Sequence, residues 1–253
     1  VAVTQQGEAM GWDKVLIATG GAPYIPDIQG VRKKGVFTLR SLTDAQEILT
    51  RIPEVKNVVI IGGGLLGLEA GHALIKQGKK VTVLEYAHRI LPRQLDAQGA
   101  ELLMEKMVGL GFQFHTGTAA KEFTGEEQVT GVIASSGAMI PADMVLISAG
   151  IRPVTVLAET AKIPCKNGIP IAATMETQTP GVFAAGDCAS FNGTIHGIWA
   201  TGIEQGRIAG LNMCGKPTEY KEPAFSTMLK VTGTYLGSVG DVDAEERQDS
   251  VIR

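Results

Sequence analysis

The chain has 253 residues, 44% hydrophobic and 19% charged, a balance that excludes a disordered polypeptide and suits one large globular domain or two modest ones. Its 23 basic and 26 acidic residues are interspersed and sum to −3, which leaves no basic stripe for nucleic acid. Apolar runs such as 58–61 and 145–147 are far shorter than the roughly 20 residues of a membrane span, so no membrane partner is expected.

The 32 glycines, set against only 5% aromatics, favour an α/β chain with tight strand-to-helix turns over a sandwich. Cys165, Cys188 and Cys214 lie far apart and lack C-x-x-C or zinc-type spacing. They predict reduced thiols, no metal site and a cytoplasmic protein.

In chain order, residues 1–4 and 14–18 read as strands joined by a polar Gln5-Gln6-Gly7 turn, and Pro23, Pro26 and Gly30 form a connector. Thr43-Asp44-Ala45-Gln46 is a candidate capping box for a helix running to about Arg51 and closed by Pro53. Next comes Asn57-Val-Val-Ile-Ile-Gly62-Gly63-Gly64-Leu65-Leu66-Gly67, then a helix with Leu66, Ala70, Ala73 and Leu74 on one face that stops at Gly78, then Val81-Thr-Val-Leu-Glu85.

That order of strand, glycine turn, helix, strand and terminal acid is the arrangement that holds a dinucleotide. Gly62 permits the tight turn, Gly64 lets amides approach a pyrophosphate, and Gly67 lets the helix lie close on the sheet. The helix start adds its positive dipole. A carboxylate at Glu85 accepts from both hydroxyls of an adenosine ribose and repels a 2′-phosphate, so NAD is expected rather than NADP.

Beyond it, a helix is predicted at 94–110, a strand at 112–115, hairpin-like segments at 121–139 and a buried strand at 143–150. The stretch after 154 is turn-rich. A short strand then delivers Asp187, a helix spans 200–213, and 224–239 looks rich in strand. The predicted division is 1–34, 35–153, 154–220 and 221–253. The segment before Gly35 is too short for a domain, so it is expected to pair with the segment after Pro153, with 35–153 inserted between them.

Four separated motifs carry a wider likeness: Ala18-Thr19-Gly20; residues 62–67 with Glu69 and Glu85; Ala149-Gly150-Ile151-Arg152-Pro153; and Ala184-Ala185-Gly186-Asp187. In order and spacing the chain resembles the FAD-dependent pyridine nucleotide-disulfide oxidoreductase family. Its tail, Trp199-Ala-Thr-Gly-Ile-Glu-Gln205-Gly206 and 227–241, is similar to rubredoxin reductases and the NADH-oxidising region of assimilatory nitrite reductases.

The resemblance implies a Rossmann-like NAD-binding domain inserted in a partial FAD-binding domain, with 221–253 as the start of a C-terminal interface domain. It implies that Gly62, Gly64, Leu65, Leu66, Gly67, Glu85, Ala149 and Gly150 contact NAD. Ala18, Thr19, Gly20, Gly186, Asp187, Ala200 and Thr201 would contact FAD, and Glu69 would orient the rings. Bland readings stand beside these: Asp187 as a solvated turn residue, Gly150 as a strand-end kink, Glu69 as an exposed first-turn carboxylate. His196 reads as structural, and Arg152 as a domain-closing residue or a cofactor contact. Arg89 and His88 read as solvated, because Tyr86 stands where NADP-using relatives often carry arginine.

The family's N-terminal FAD turn and its upstream reactive cysteine have no counterpart here, so the chain is expected to be a fragment of a longer flavoprotein. The expected reaction of the complete enzyme is hydride transfer from NADH to FAD and onward to an acceptor such as rubredoxin or a nitrite-reducing centre. Alternatives are an NADH oxidase, peroxidase or CoA-disulfide reductase, or a non-catalytic NAD-binding module. Expected partners are NADH and an electron-acceptor protein or small acceptor, with a homodimer left open.

Overall fold

The computed structural model describes residues 1–222, 226–229 and 236–240. Two units have separate cores: Val1–Ala22 with Ile151–Pro223, and Pro23–Gly150 with the described residues beyond 223. In the first, β1 (Ala2–Val3) pairs antiparallel with β2 (Ala9–Met10). The Gln5-Gln6-Gly7 turn therefore joins these two strands and does not lead into residues 14–18. Gly7, at φ +85°, donates its amide to the Thr4 carbonyl at 2.9 Å, and Thr4 N–H donates to Glu8 O at 2.9 Å, which turns the chain back early. β3 (Val15–Ile17) and β4 (Gly21–Pro23) follow.

Residues 23–34, expected with the first segment, pack in the second unit. Gly30, at φ +85°, turns this connector so closely that a Cβ would lie 2.3 Å from Phe123 O. Ile28 is buried with Phe123 and Val132, Phe123 N–H donates to Gln29 O at 2.8 Å, and Lys34 N–H donates to Glu127 O at 3.0 Å. The backbone groups of the connector thus find partners along this edge, which the proline and glycine pattern alone does not reveal.

β5 (Val36–Thr38) leads to α1 (Leu42–Arg51), whose capping box is Ser41 with Asp44, two residues before the expected Thr43. The Asp44 carboxylate accepts from the amides of Arg40 (2.7 Å) and Ser41 (2.9 Å), while Ser41 Oγ accepts from Asp44 N–H at 3.1 Å. The amides of Ser41 and Arg40 hold this carboxyl below its ordinary range.

After α1 come β6 (Asn57–Ile61), α2 (Leu65–Lys76), β7 (Lys80–Leu84), α3 (Ala97–Gly109) and β8 (Phe112–His115). An antiparallel meander of β9 (Ala120–Thr124), β10 (Gly131–Ala134) and β11 (Met139–Pro141) precedes β12 (Met144–Ile147). The main sheet is five-stranded and parallel, in the order β5-β12-β6-β7-β8. Residues 58–61 and 144–147 are buried throughout, as continuous apolar runs in a covered parallel sheet are.

The buried face of α2 is Gly67, Leu68, Gly71 and Leu74, whereas Leu66 and Ala73 are exposed. Hydrophobic periodicity misses this face because glycines make half of it. A Cβ on Gly71 would lie 2.6 Å from the Phe112 ring and 2.9 Å from Ile60 Cδ1, so the missing side chain is what lets the helix lie on the sheet. The helix ends as expected at Gly78 (φ +75°), which donates to Ile75 O at 2.8 Å while Lys79 N–H donates to Leu74 O at 3.1 Å, a Schellman closure.

Back in the first unit, β13 (Ile151–Pro153) pairs with β4. A short α4 (Val156–Thr160) interrupts the region read as turns. β14 (Ile169–Ile171) and β16 (Ala189–Phe191) run parallel, and β15 (Val182–Ala184) pairs parallel with β3, Ala184 opposite Ile17. α5 (Trp199–Met213) buries Thr201, Gln205, Ile208 and Ala209.

Cys165 is half-buried, Cys188 buried and Cys214 exposed, all as free thiols; burial, then nearby Glu159, pushes the Cys165 thiol up. β17 (Ser226–Leu229) and β18 (Leu236–Val239) form an antiparallel pair. Residues 230–235 and 241 of the tail motif lie outside the described residues. No helix of the described residues is long and apolar enough to cross a membrane.

Candidate functional site

In the second unit β6 and β12 are parallel neighbours whose chain exits diverge: β6 continues through α2 to β7 within the sheet, whereas β12 leaves the sheet towards β13. A crevice at the carboxyl ends of strands opens at such a switch point. Here those ends carry residues 62–64 and 148–150. Gly62 has φ +110°, its N–H donates to Leu84 O at 2.8 Å, and a Cβ would lie 2.4 Å from Ser148 O, so the two loops touch only because it is glycine.

A Cβ on Gly67 would sit 2.5 Å from Gly62 O, which brings the start of α2 hard against the turn. By contrast, Cβ atoms on Gly64 and on Gly150 (φ +96°) would meet nothing within 4 Å. Gly64 is also the N-cap and supplies no side-chain cap. The first-turn amides have no partner within the helix and lie at the positive end of its dipole, next to the open space in front of Gly64. Leu65 is half-buried beside this opening, while Leu66 (44% exposed) and Glu69 lie on the outer side of α2.

Glu85 follows β7 and is half-buried. Its Oε2 accepts from Gly63 N–H at 2.6 Å and its Oε1 from Ala87 N–H at 2.7 Å. A carboxylate offers about four lone-pair sites, so about two remain. The sequence assigns Glu85 as a sugar acceptor but does not reveal that the same group buttresses the glycine turn. Leu91, at φ +48°, donates its N–H to Gly63 O at 3.1 Å and closes the loop over the turn. Arg89, expected to be solvated, donates to the carbonyls of Leu95 (3.0 Å) and Pro92 (3.3 Å) and serves this loop. Tyr86 is 82% exposed.

The first unit has its own strand-end cluster. Thr19 Oγ1 donates to Val154 O at 2.5 Å, Val154 N–H donates to Gly20 O at 2.9 Å, and Ala185 N–H donates to Ile17 O at 3.2 Å. Gly186 (φ +80°) donates its N–H to Gln205 Oε1 at 2.8 Å, and a Cβ on it would meet nothing within 4 Å. A Cβ on Gly21 would lie 3.4 Å from Asp187 Cβ, and one on Gly202 would lie 3.6 Å from Gly186 Cα.

Ala18, Thr19, Gly20, Gly186, Asp187 and the first turn of α5, with Ala200 exposed and Thr201 buried, are thereby gathered. Gln205, 2% exposed, is the anchor that sequence reasoning left without a role. Its signal was a polar side chain one turn after Thr201 on a buried helix face. His196, read as structural, has Nε2 2.9 Å from Glu222 Oε1 with its side chain 6% exposed.

Three similarities bear on these sites. Over 250 residues the chain is 35% identical to a nitrite reductase [NAD(P)H] of Bacillus subtilis (strain 168), covering 98% of this chain and 31% of that protein. It is 28% identical over 252 residues to a rubredoxin-NAD(+) reductase of Pseudomonas putida, covering 96% of this chain and 66% of that one. A solved NAD-dependent persulfide reductase from A. fulgidus superposes with a TM-score of 0.92 at 29% identity, over 97% of this chain and 48% of its own. The chain thus spans less than a third of the nitrite reductase it matches and about half of the persulfide reductase. The model of one family, pyridine nucleotide-disulphide oxidoreductase, matches residues 1–209, and the chain belongs to that family.

Proposed function

We propose that the chain is the nucleotide-handling portion of an NADH-dependent, FAD-containing oxidoreductase of the cytoplasm that delivers electrons to a metal protein such as rubredoxin or to a nitrite-reducing centre. The observation that carries this reading is the convergence of Gly62, Gly64, Gly150 and Glu85 at one switch point. The residues fit a dinucleotide. Open space in front of Gly64 leaves room for a diphosphate against unpaired helix amides, and the two remaining acceptor sites of Glu85 suit vicinal ribose hydroxyls while repelling a 2′-phosphate. Ala149 and Gly150 leave the wall of the crevice low enough for the coenzyme to lie along it, and Leu65 borders the nicotinamide end.

In the first unit, Thr19 and Gly20 hold a strand end against Val154, and Gln205 fixes Gly186 so that Asp187 is presented at a strand end for a sugar-like hydroxyl. The open surroundings of Gly186 fit close approach of a flavin nucleotide. The N-terminus of α5 at Ala200 and Thr201 brings positive potential to a pyrimidine edge that gains negative charge on reduction. Glu69 is assigned a positioning role from the helix that starts at the glycine turn. A bound flavin supplies acceptance of hydride from NADH and onward release of electrons, singly or in pairs; the protein positions, desolvates and stabilises charge.

A sulfur acceptor is the second reading, favoured by the likeness to a persulfide reductase. The deciding experiment is the visible spectrum of the purified chain supplied with FAD, before and after NADH. The expected result is a protein-associated flavin band that bleaches with NADH and responds far more weakly to NADPH. A chain that binds neither nucleotide sinks the proposal, and a clear preference for NADPH removes the role given to Glu85.

A further inference from the structure

We propose that Tyr86 is the stacking platform for the adenine ring at the switch-point crevice, an inference that rests on the dinucleotide reading above. Tyr86 exposes 82% of its surface, which leaves the faces of a large amphipathic ring open to a ligand. The exposure does not come from a loose loop. Glu85 N–H donates to His115 O at 2.9 Å, Thr118 N–H to Glu85 O at 2.9 Å, Gly117 N–H to Ala87 O at 2.8 Å, and Ala87 N–H to Glu85 Oε1 at 2.7 Å. Both neighbours of Tyr86 are pinned, so the ring stands on a fixed mount.

The position of the mount selects the ligand group. A ribose held through its 2′- and 3′-hydroxyls by Glu85 carries its base on the adjoining C1′, and the next Cα along the chain is only about 3.8 Å away. A flat ring one residue from the sugar acceptor is matched by the flat heterocycle one bond beyond the sugar hydroxyls. Stacking needs only a π-face and places no demand on hydrogen-bonding groups around the base.

The test is calorimetric binding of ADP-ribose and of nicotinamide mononucleotide to the wild-type chain, Tyr86→Ala and Tyr86→Phe, with circular dichroism to check folding. Proton NMR of the adenine H2 and H8 resonances of bound ADP-ribose accompanies it. Tyr86→Ala is expected to weaken ADP-ribose roughly tenfold, to leave the mononucleotide unchanged and to abolish an upfield ring-current shift, whereas Tyr86→Phe retains wild-type behaviour. Wild-type binding with Tyr86→Ala within twofold of it, and adenine resonances unmoved, overturns the stacking role alone. Failure of the wild type to bind ADP-ribose brings down the dinucleotide reading and this inference with it.

Discussion

The strand-end sites of the two units are held together by different means. At the switch point of the second unit the close approaches are mainly backbone to backbone around residues without side chains, Gly62 seated against Ser148 O, with the Glu85 carboxylate added as a side-chain tie to Gly63. In the first unit, segments far apart in sequence are joined partly by polar side chains, Thr19 on Val154 and Gln205 on Gly186. A site built on missing side chains tolerates no added atom where backbones touch. A site built on side-chain hydrogen bonds fails when one partner is removed. The two therefore break under opposite kinds of substitution.

The largest effect is expected at Gly62. Alanine there puts a Cβ 2.4 Å from a carbonyl oxygen at φ +110°, so both the contact and the backbone oppose it. A loss of about 3 kcal/mol is expected, read by urea unfolding, together with loss of NADH binding. Gly64→Ala, with nothing within 4 Å, should leave unfolding almost unchanged and still weaken NADH at least tenfold, because the added methyl enters the space assigned to the diphosphate. Equal destabilisation by the two substitutions would show that the turn is merely structural.

A smaller loss belongs to the first unit. Gln205→Leu keeps the volume of a nearly buried side chain but leaves the Gly186 amide without its acceptor, which costs about 2 kcal/mol. The same substitution should weaken FAD retention while ADP-ribose affinity stays at the wild-type value. A fall in ADP-ribose affinity would contradict the separation between side-chain and backbone sites.

That difference in construction also explains what could be read from the sequence. The glycine turn, the parallel strands around it and the end of α2 at Gly78 follow from local rules on φ, amide donors and β-branched runs, because each is determined within a few residues. The buried face of α2 did not, since Gly67 and Gly71 contribute through the absence of a side chain and hydrophobic periodicity assigns them nothing. Ser41 displaced Thr43 as the cap because Asp44 reaches back to two amides, a choice between serine and threonine caps that spacing alone leaves undecided. α4, β14 and β16 are three to five residues long, too short for any period to register. The cluster around Asp187 was legible only through likeness to a family, because Gln205 and Thr19 meet their partners across distances in sequence that no local pattern spans.

The smallest expected effect concerns acid, and it separates the units again. At the opposite ends of β6 and β12 from the crevice, Asp143 Oδ2 accepts from the amides of Lys56 (3.0 Å) and Asn57 (2.8 Å) and from the Asn57 side chain (3.3 Å). Burial alone pushes its carboxyl up, but these three hydrogen bonds and the nearby Lys56 charge together outweigh it and hold the group below an ordinary aspartate. The unfolded chain consequently binds the proton more readily, so the stabilisation is complete above about pH 4, the unfolded value, and is lost as pH falls through the lower folded value. Asp44 at the start of α1 has the same sign. Among the described residues of the first unit the carboxyl held low is Glu204, paired with Arg207 on the surface, where solvent screening leaves little stability to lose. Lowering the pH from 5 to 2 should accordingly loosen the parallel sheet before the β3–β15 pair, a sequence followed by amide protection in β6 and β12 against β15. Asp143→Asn keeps an oxygen acceptor for the two amides but removes the titration, and should narrow the gap between the units; an unchanged gap would assign the acid sensitivity to other groups.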